Sequence, residues 1–360
     1  MAFTADELSN IATQTLEHHI DKGTVFKQNI ANKPMLEAFN AAAGSFPGGK
    51  EYVSIRVKAG QGGGSLQGYS GDDQVSFYNP TGVKAARWAW KEHHIGTVIT
   101  MTELKQGGID VIENGASQRT SNIDGAEDFR LAHLLDEKMD TLNEDYAFSL
   151  DRLIHGDGSS DAKALAGIKS FILDNPLSGS TGGLSRSGNS WWRNDAATAA
   201  YAAAGGQGAI TSAVADGGAL IEFMDKAKRR RSKYASGATK TRYFCGSAFI
   251  DAYKKELRAN GSYSQTGWTG QKPDGSMADP SHSGLPLEWD PTMDDLGLEK
   301  RCYAIDMGRM GLRMLYLNGN RMKKHNPARP YDRYVMYSGV TMTGVMIARQ
   351  LNTSGVYDIA

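Results

Sequence analysis

Cysteine is scarce. Cys245 and Cys302 are the only 2 in 360 residues, too few for a disulfide framework and suited to a reducing compartment. Net charge is missing as well: 40 basic residues cancel 40 acidic ones, so no global field draws the chain to nucleic acid or a membrane surface. No apolar run approaches the roughly 20 residues of a membrane span. The opening MAFTADELSN has neither a basic n-region nor an apolar h-region, which predicts no signal peptide. These absences predict a soluble, intracellularly made protein. Glycine runs the other way, at 42 of 360 residues. That exceeds the average of about 7% and implies many turns and extended excursions.

Several of those glycines crowd VKAGQGGGSLQGYSGDDQVSF, residues 57–77. A P-loop needs G-x-x-x-x-G-K-[ST]. Gly63 and Gly68 have that spacing, but Tyr69 stands where the lysine must be. A dinucleotide fingerprint starts at Gly60 and Gly62, breaks at Ser65, and is followed by no helix pattern. Both phosphate readings fail. The flanks read as strands instead. Tyr52, Val53, Ile55 and Val57 alternate with Ser54, Arg56 and Lys58, while Val75, Phe77 and then Val83 to Trp90 form a return. The glycines therefore sit at the tip of a long two-stranded projection. A tip so rich in glycine loses much entropy on ordering and suits an arm laid on a neighbour. Val98–Met101 and Ile109–Ile112 add short strands.

Residues 1–48 read as an arm, with one amphipathic turn set (Leu8, Ile11, Leu16, Ile20) and a break at SFPGGK, and nothing that closes its own core. The strongest helical signal starts at Asp124, with Glu127 completing a capping box. Leu131, Leu134, Leu135, Met139, Leu142, Tyr146, Leu150, Leu153 and Ile154 follow at three- and four-residue steps, and Gly156 closes the helix. Its carboxylates, Asp136 to Asp145, read as a solvated face. Residues 176–210 read as an inserted loop, and 262–295 as loop-rich. TSAVADGGALIEFMDKAKRRRSKYA gives a second helix; TRYFCGSAFIDAYKKELRANG gives a strand and then a helix capped by Ser247 and ended by Gly261. The remainder reads as strands. The class is α+β with non-local strand pairing.

Chemical sites are not signalled. His18-His19 and His93-His94 lack zinc spacings, GLSRSG puts Ser187 where a nucleophile elbow needs glycine, and DGSSD lacks the alternating ligands of a calcium loop. No catalytic, cofactor-binding or metal residue is assigned. The run Lys226 to Lys233 carries six positive charges in eight residues. It has no interleaved aromatics for base stacking, which favours a solvated helix end or an intersubunit salt-bridge face over nucleic-acid contact.

The order of these elements resembles that of the major capsid proteins of tailed double-stranded DNA phages, the Johnson or Hong Kong ninety-seven type coat fold. RPYDRYVMYSGVTMTGVMIARQLNTSGVYDI is similar to that family's closing strand pair, and CGSAFIDAYKKELRANG to the strand and helix of its axial domain. The resemblance implies an N-terminal arm over 1–48 and an extended β-hairpin loop with its base over 49–118. It implies a peripheral domain around a long spine helix over 119–165 and 311–349, and an axial domain over 166–310 and 350–360. The implied function is structural: self-assembly into hexamers and pentamers of an icosahedral phage head around DNA, in the virion, after assembly in the host cytoplasm. Intersubunit-contact candidates are then Gly62, Gly63, Gly64, Tyr69, Arg229, Arg230 and Arg231. The extended loop begins near residue 50, which leaves no room for a built-in scaffolding segment. A separate scaffolding protein, a portal and a decoration protein are the implied partners, with packaged DNA met non-specifically. An encapsulin-like shell and a soluble oligomeric enzyme are the alternatives.

Overall fold

The computed structural model describes residues 31–58, 66–77, 82–100, 102–103, 125–211, 219–259, 280–325 and 335–360, with the backbone alone for 125–137 and 336. The amphipathic set from Leu8 to Ile20, Gly60 to Gly64, the strand Ile109–Ile112, the capping box at Asp124 and Gly261 lie outside these residues. Strands are numbered β1 (Gly44–Phe46), β2 (Tyr52–Lys58), β3 (Val83–Ala89), β4 (Lys91–Thr100), β5 (Ser180–Thr181), β6 (Leu184–Ser185), β7 (Asp195–Ala197), β8 (Thr241–Cys245), β9 (Ser281–His282), β10 (Leu285–Trp289), β11 (Arg301–Asp306), β12 (Leu312–Leu317), β13 (Lys323–His325), β14 (Val335–Ala348) and β15 (Gly355–Asp358). The mixture of helix and sheet is the α+β class expected.

The chain divides into two compact units. The larger takes residues 31–91, 151–319 and 343–360. Its centre is a mixed six-stranded sheet in the order β7-β15-β11-β8-β10-β9. The helices Ala219–Ser232 and Ser247–Ala259 cover one face, through Leu220, Met224, Ala227, Phe249, Ile250 and Tyr253 against Tyr243, Cys245, Cys302, Ala304 and Tyr357. Ser247 does not cap its helix by side chain; it is the first helical residue, and its amide donates to the Asp294 carboxylate at 2.9 Å. Gly246 just before it is forced by space, because a Cβ there would lie 2.3 Å from the Glu299 carbonyl oxygen.

The last residues of the expected arm are ordered within this unit. Pro34 starts a helix to Ala41 that buries Met35 and Phe39 completely, and β1 then pairs in parallel with β12. These residues still close no core of their own; they complete that of β12.

The smaller unit takes residues 92–150 and 320–342. It holds most of β4, β13, the first half of β14 and most of the helix Gly125–His155, whose 31 residues match the expected spine. Lys138 pairs with the buried Glu103 at 2.8 Å, and Tyr146 donates its hydroxyl to the Arg321 carbonyl at 2.6 Å. On the expected stripe Leu142 is buried, as are Leu150 and, in the helix's last turn within the larger unit, Ile154. Gly156 does not take the left-handed conformation of a C-cap; Gly158 does, with φ at 74°.

Leu142 is 3% exposed, so Leu142→Ala should cost roughly 2–5 kcal/mol. Asp145→Asn, on an exposed position of the same helix, should change stability by less than about 0.5 kcal/mol. Denaturant midpoints measure both, and equal, negligible shifts would contradict a buried stripe.

Candidate intersubunit surfaces

The extended loop is built from its base. β2 and β3 pair antiparallel from Tyr52↔Ala89 to Lys58↔Val83. Alternation sends Val53, Val57, Ala86 and Trp88 to the buried face, while Ser54, Arg56, Lys58 and Arg87 face solvent. A latch holds this base. Trp88 stacks on Phe171 with ring centroids 6.0 Å apart. The β5–β6 turn at Gly182 and Gly183 has φ of 60° and 77°, the double positive φ of a tight hairpin turn. The Gly182 carbonyl accepts the Arg87 amide at 2.9 Å, and a Cβ on Gly182 would lie 2.7 Å from the Trp88 ring.

Of the tip candidates, Tyr69 is described and is 72% exposed; Gly62, Gly63 and Gly64 lie outside the described residues. Tyr69 has company. Leu66, Val75 and Phe77 are also exposed, Leu66 and Phe77 almost completely. Val75 and Phe77, expected as the start of the return strand, are outside any strand. The segment holds itself in shape. The Ser70 amide donates to the Asp73 carboxylate at 2.9 Å, Asp73 donates back to the Ser70 carbonyl at 3.1 Å, and Gln67 clasps Ser76 through both its amide groups. The result is a shaped apolar tip carrying Asp72 and Asp73.

Elsewhere on the larger unit a groove of about 730 Å³ has the opposite character. Arg56, Lys58 and Arg349 line it together with Trp191, Tyr234 and Met310. Sequence reasoning passed over this groove because its residues come from five separate stretches.

The arginine run is split three ways. Arg229 is exposed and, among the described residues, bonds within its helix to the Asp225 carbonyl at 3.4 Å. Arg230 forms an ion pair with Asp195 at 3.0 Å, and Asp195 also accepts the Tyr357 hydroxyl at 2.9 Å. Arg231 corrects the surface expectation: it is 4% exposed, with its guanidinium over the rings of Tyr243 and Tyr357 and a 3.0 Å bond to the Tyr243 hydroxyl. It follows Leu220, Met224 and Ala227 at helical steps, so it belongs to the apolar stripe and not to the charged face.

Two further buried groups were invisible in sequence. Arg186 is completely buried with no carboxylate partner among the described residues; Thr181, Asn194 and the Phe171 carbonyl accept its hydrogens, and burial together with Arg193 pulls its pKa down to about 10. The stretch expected as a loose insertion is thereby knitted around one cation. His155 is buried at the end of the spine helix. Its Nδ1 lies 2.8 Å from the Asp151 carbonyl and its Nε2 3.1 Å from the Asp290 carboxylate. Thr292 donates to the Asp151 carboxylate at 2.6 Å. Both ring nitrogens thus face acceptors, which only the protonated imidazolium satisfies. Burial alone would lower the His155 pKa, but the Asp290 bond and the charges of Asp290 and Asp151 raise it above the ordinary value. Burial raises the pKa of Asp151.

A raised folded-state histidine pKa stabilises fully below the unfolded value of about 6.5 and loses that contribution as pH climbs through the folded value. The raised Asp151 acts in the same direction, whereas His282, whose pKa burial lowers, acts in the opposite one. Denaturant midpoints of wild type minus His155→Gln, measured from pH 5 upward, should therefore shrink as pH rises above about 6.5. A difference that grew with pH would refute the charged form.

No protein-family model matches the sequence, and no curated protein does. Solved structures do match. A chain of the cyanophage A-1(L) capsid asymmetric unit superposes with a TM-score of 0.60 at 13% identity, covering 94% of this chain and 96% of that one. The capsid of Myoviridae phage XM1 gives 0.51 at 10% identity, covering 94% and 95%. A chain of Mycobacterium phage Adephagia gives 0.50 at 10% identity, covering 100% and 98%. At such identities the likeness establishes the fold and nothing finer. The chain has the Johnson fold, the coat fold of tailed phages.

Proposed function

We propose that this chain is the major capsid protein of a tailed double-stranded DNA phage. One observation carries the reading: phage capsid chains match it over nearly the whole length of both partners. In this reading the chain is a structural subunit that makes hexamers and pentamers of an icosahedral shell in the host cytoplasm and ends in the virion. Residues 1–48 serve as arm and 49–118 as extended loop; 119–165 with 311–349 form the peripheral domain, and 166–310 with 350–360 the axial one. A separate scaffolding protein, a portal and a decoration protein complete the partners, and DNA is met through its phosphates alone.

The described side chains support two contact surfaces for this reading. The tip 66–77, with Tyr69, serves as the donor, and Gly62, Gly63 and Gly64 remain contact candidates beside it. The groove beside Arg56, Lys58 and Arg349 on a second copy serves as the receiver, because its cations and aromatics complement Asp72, Asp73, Val75 and Phe77. One tip and one groove per copy make a heterologous contact, the type that closes rings. Arg229 remains a contact candidate; Arg230 is already neutralised by Asp195, and Arg231 is withdrawn into the core.

Electron micrographs of the expressed protein should show closed shells. Open aggregates or dispersed oligomers with a measurable turnover would defeat the reading, and shells enclosing protein without nucleic acid would favour a cargo compartment. Asp72→Lys, at an exposed position that leaves the Ser70–Asp73 bond in place, should leave the subunit's thermal midpoint unchanged yet abolish shells. Adding Arg56→Glu and Lys58→Glu should restore them. Shells formed equally well by the tip variant alone would remove the tip–groove pairing while leaving the capsid assignment standing.

A further inference from the structure

The six-stranded sheet holds both cysteines of the chain on one seam. β8 and β11 run antiparallel with Cys245 directly opposite Cys302. The ladder settles which kind of pair this is. Gly246 donates its amide to the Arg301 carbonyl at 2.9 Å, a bond from the residue after Cys245 to the residue before Cys302. That pattern makes Cys245–Cys302 a non-hydrogen-bonded pair, in which Cα atoms stand about 4.5 Å apart and side chains are closest. A disulfide accepts Cα separations of about 4.4–6.8 Å. Both side chains also point the same way. They share one apolar cluster with Tyr243, Ala304, Leu287 and Phe249.

We propose that Cys245 and Cys302 form a crosslinking site, reduced while the chain folds and closed to an intrachain disulfide by a small uncharged peroxide. In the first step one thiolate attacks the peroxide. An S–O bond forms, the O–O bond breaks, and the departing hydroxide takes a proton to become water. In the second step the other thiol attacks the resulting sulfenic acid. The S–S bond forms, the S–O bond breaks, and hydroxide leaves with the remaining proton as a second water. Two electrons pass from the two sulfurs to the two peroxide oxygens. Nothing else is consumed.

Burial sets the conditions. Neither cysteine is exposed, and burial, with the neighbouring thiol, holds the Cys245 pKa well above its ordinary range. Thiolate is therefore scarce at neutral pH, and the reaction is slow and confined to oxidants small enough to enter. In a reducing cytoplasm the pair stays open. One consequence rests on the proposed function: a shell assembles with the pair reduced and acquires the bond after release. The chemistry itself does not depend on that reading.

The test uses the unassembled wild-type chain, so its outcome is independent of whether shells form. The chain is incubated with hydrogen peroxide under native conditions and, in parallel, in denaturant. It is then quenched with acid, alkylated in denaturant and analysed by intact mass and non-reducing peptide mapping. The native sample should lose both alkylatable thiols and the mass of two hydrogens. It should yield one linked peptide pair containing Cys245 and Cys302, and melt several degrees higher. Dithiothreitol should reverse all three changes. Cys302→Ser should give no crosslink; should that variant fail to fold, the wild-type masses still decide. Sulfinic acids in place of the bond, a disulfide between chains, thiols unchanged after prolonged native exposure, or a crosslink confined to the denatured sample would each overturn the proposal.

Discussion

A two-stranded ribbon cannot bury both of its faces, and much of the larger unit is arranged around that limit. β2 and β3 commit one face, through Val53, Val57 and Trp88, and leave the other to solvent. A lone hairpin is marginal in water, so the ribbon needs an anchor at its base. The anchor is the β5–β6 turn, where Gly182 allows Trp88 to approach within what would be a Cβ clash and supplies a carbonyl to Arg87. That turn needs its own support. Thr181, one residue earlier, accepts from Arg186 and from Trp192, whose indole donates to its carbonyl at 3.1 Å. The chain of dependence thus runs from an exposed ribbon inward to a fully buried cation.

Buried cations recur, and each is made tolerable differently. Arg186 has only neutral acceptors among the described residues, which leaves it the least compensated of these. Arg231 lies over two aromatic rings, with the Tyr243 hydroxyl as acceptor. Arg301 makes a bidentate pair with Asp358 at 2.7 and 2.8 Å and reaches Asp174 at 2.9 Å. His155 sits between Asp290 and Asp151. Removing any one acceptor would strand a charge in low dielectric, which costs more than the pair itself contributes. Such groups specify one arrangement of loops that have few apolar side chains to pack.

Local periodicity made the ribbon, the spine helix and the strand–helix at Thr241–Ala259 legible, because alternation and the helical repeat act over a few residues. Long-range placement was not legible. Pro34–Phe46 looked like arm because its value lies in pairing with β12, far along the chain. The stretch around Arg186 has no period at all; its order comes from hydrogen bonds that small polar residues and glycine do not announce. Arg231 is the instructive failure. Its position four residues after Ala227 continued the apolar stripe, but three successive arginines read as one charged face. Register also stayed hidden, so the opposition of Cys245 and Cys302 could not be read from their separation. For the candidate surfaces, the glycine-rich tip was visible as an interruption of chemistry, whereas the cationic groove needed the fold to gather it.

Exposed apolar residues scattered singly are ordinary. Leu66, Tyr69, Val75 and Phe77 within one short segment are not, and on the proposed function a subunit carries them through synthesis before a neighbour covers them. The segment is guarded against indiscriminate pairing. Between the two pairs of apolar residues stand Asp72 and Asp73, a charge doublet at the point where an aggregating strand would need continuity. Val75 and Phe77 are outside any strand, so they present no regular edge for another chain to extend. The Gln67–Ser76 and Ser70–Asp73 bonds spend the local polar groups internally. Such a tip is adhesive only toward a surface that pairs its carboxylates while covering its rings. On the proposed function, the same charges that keep free subunits apart also select the partner.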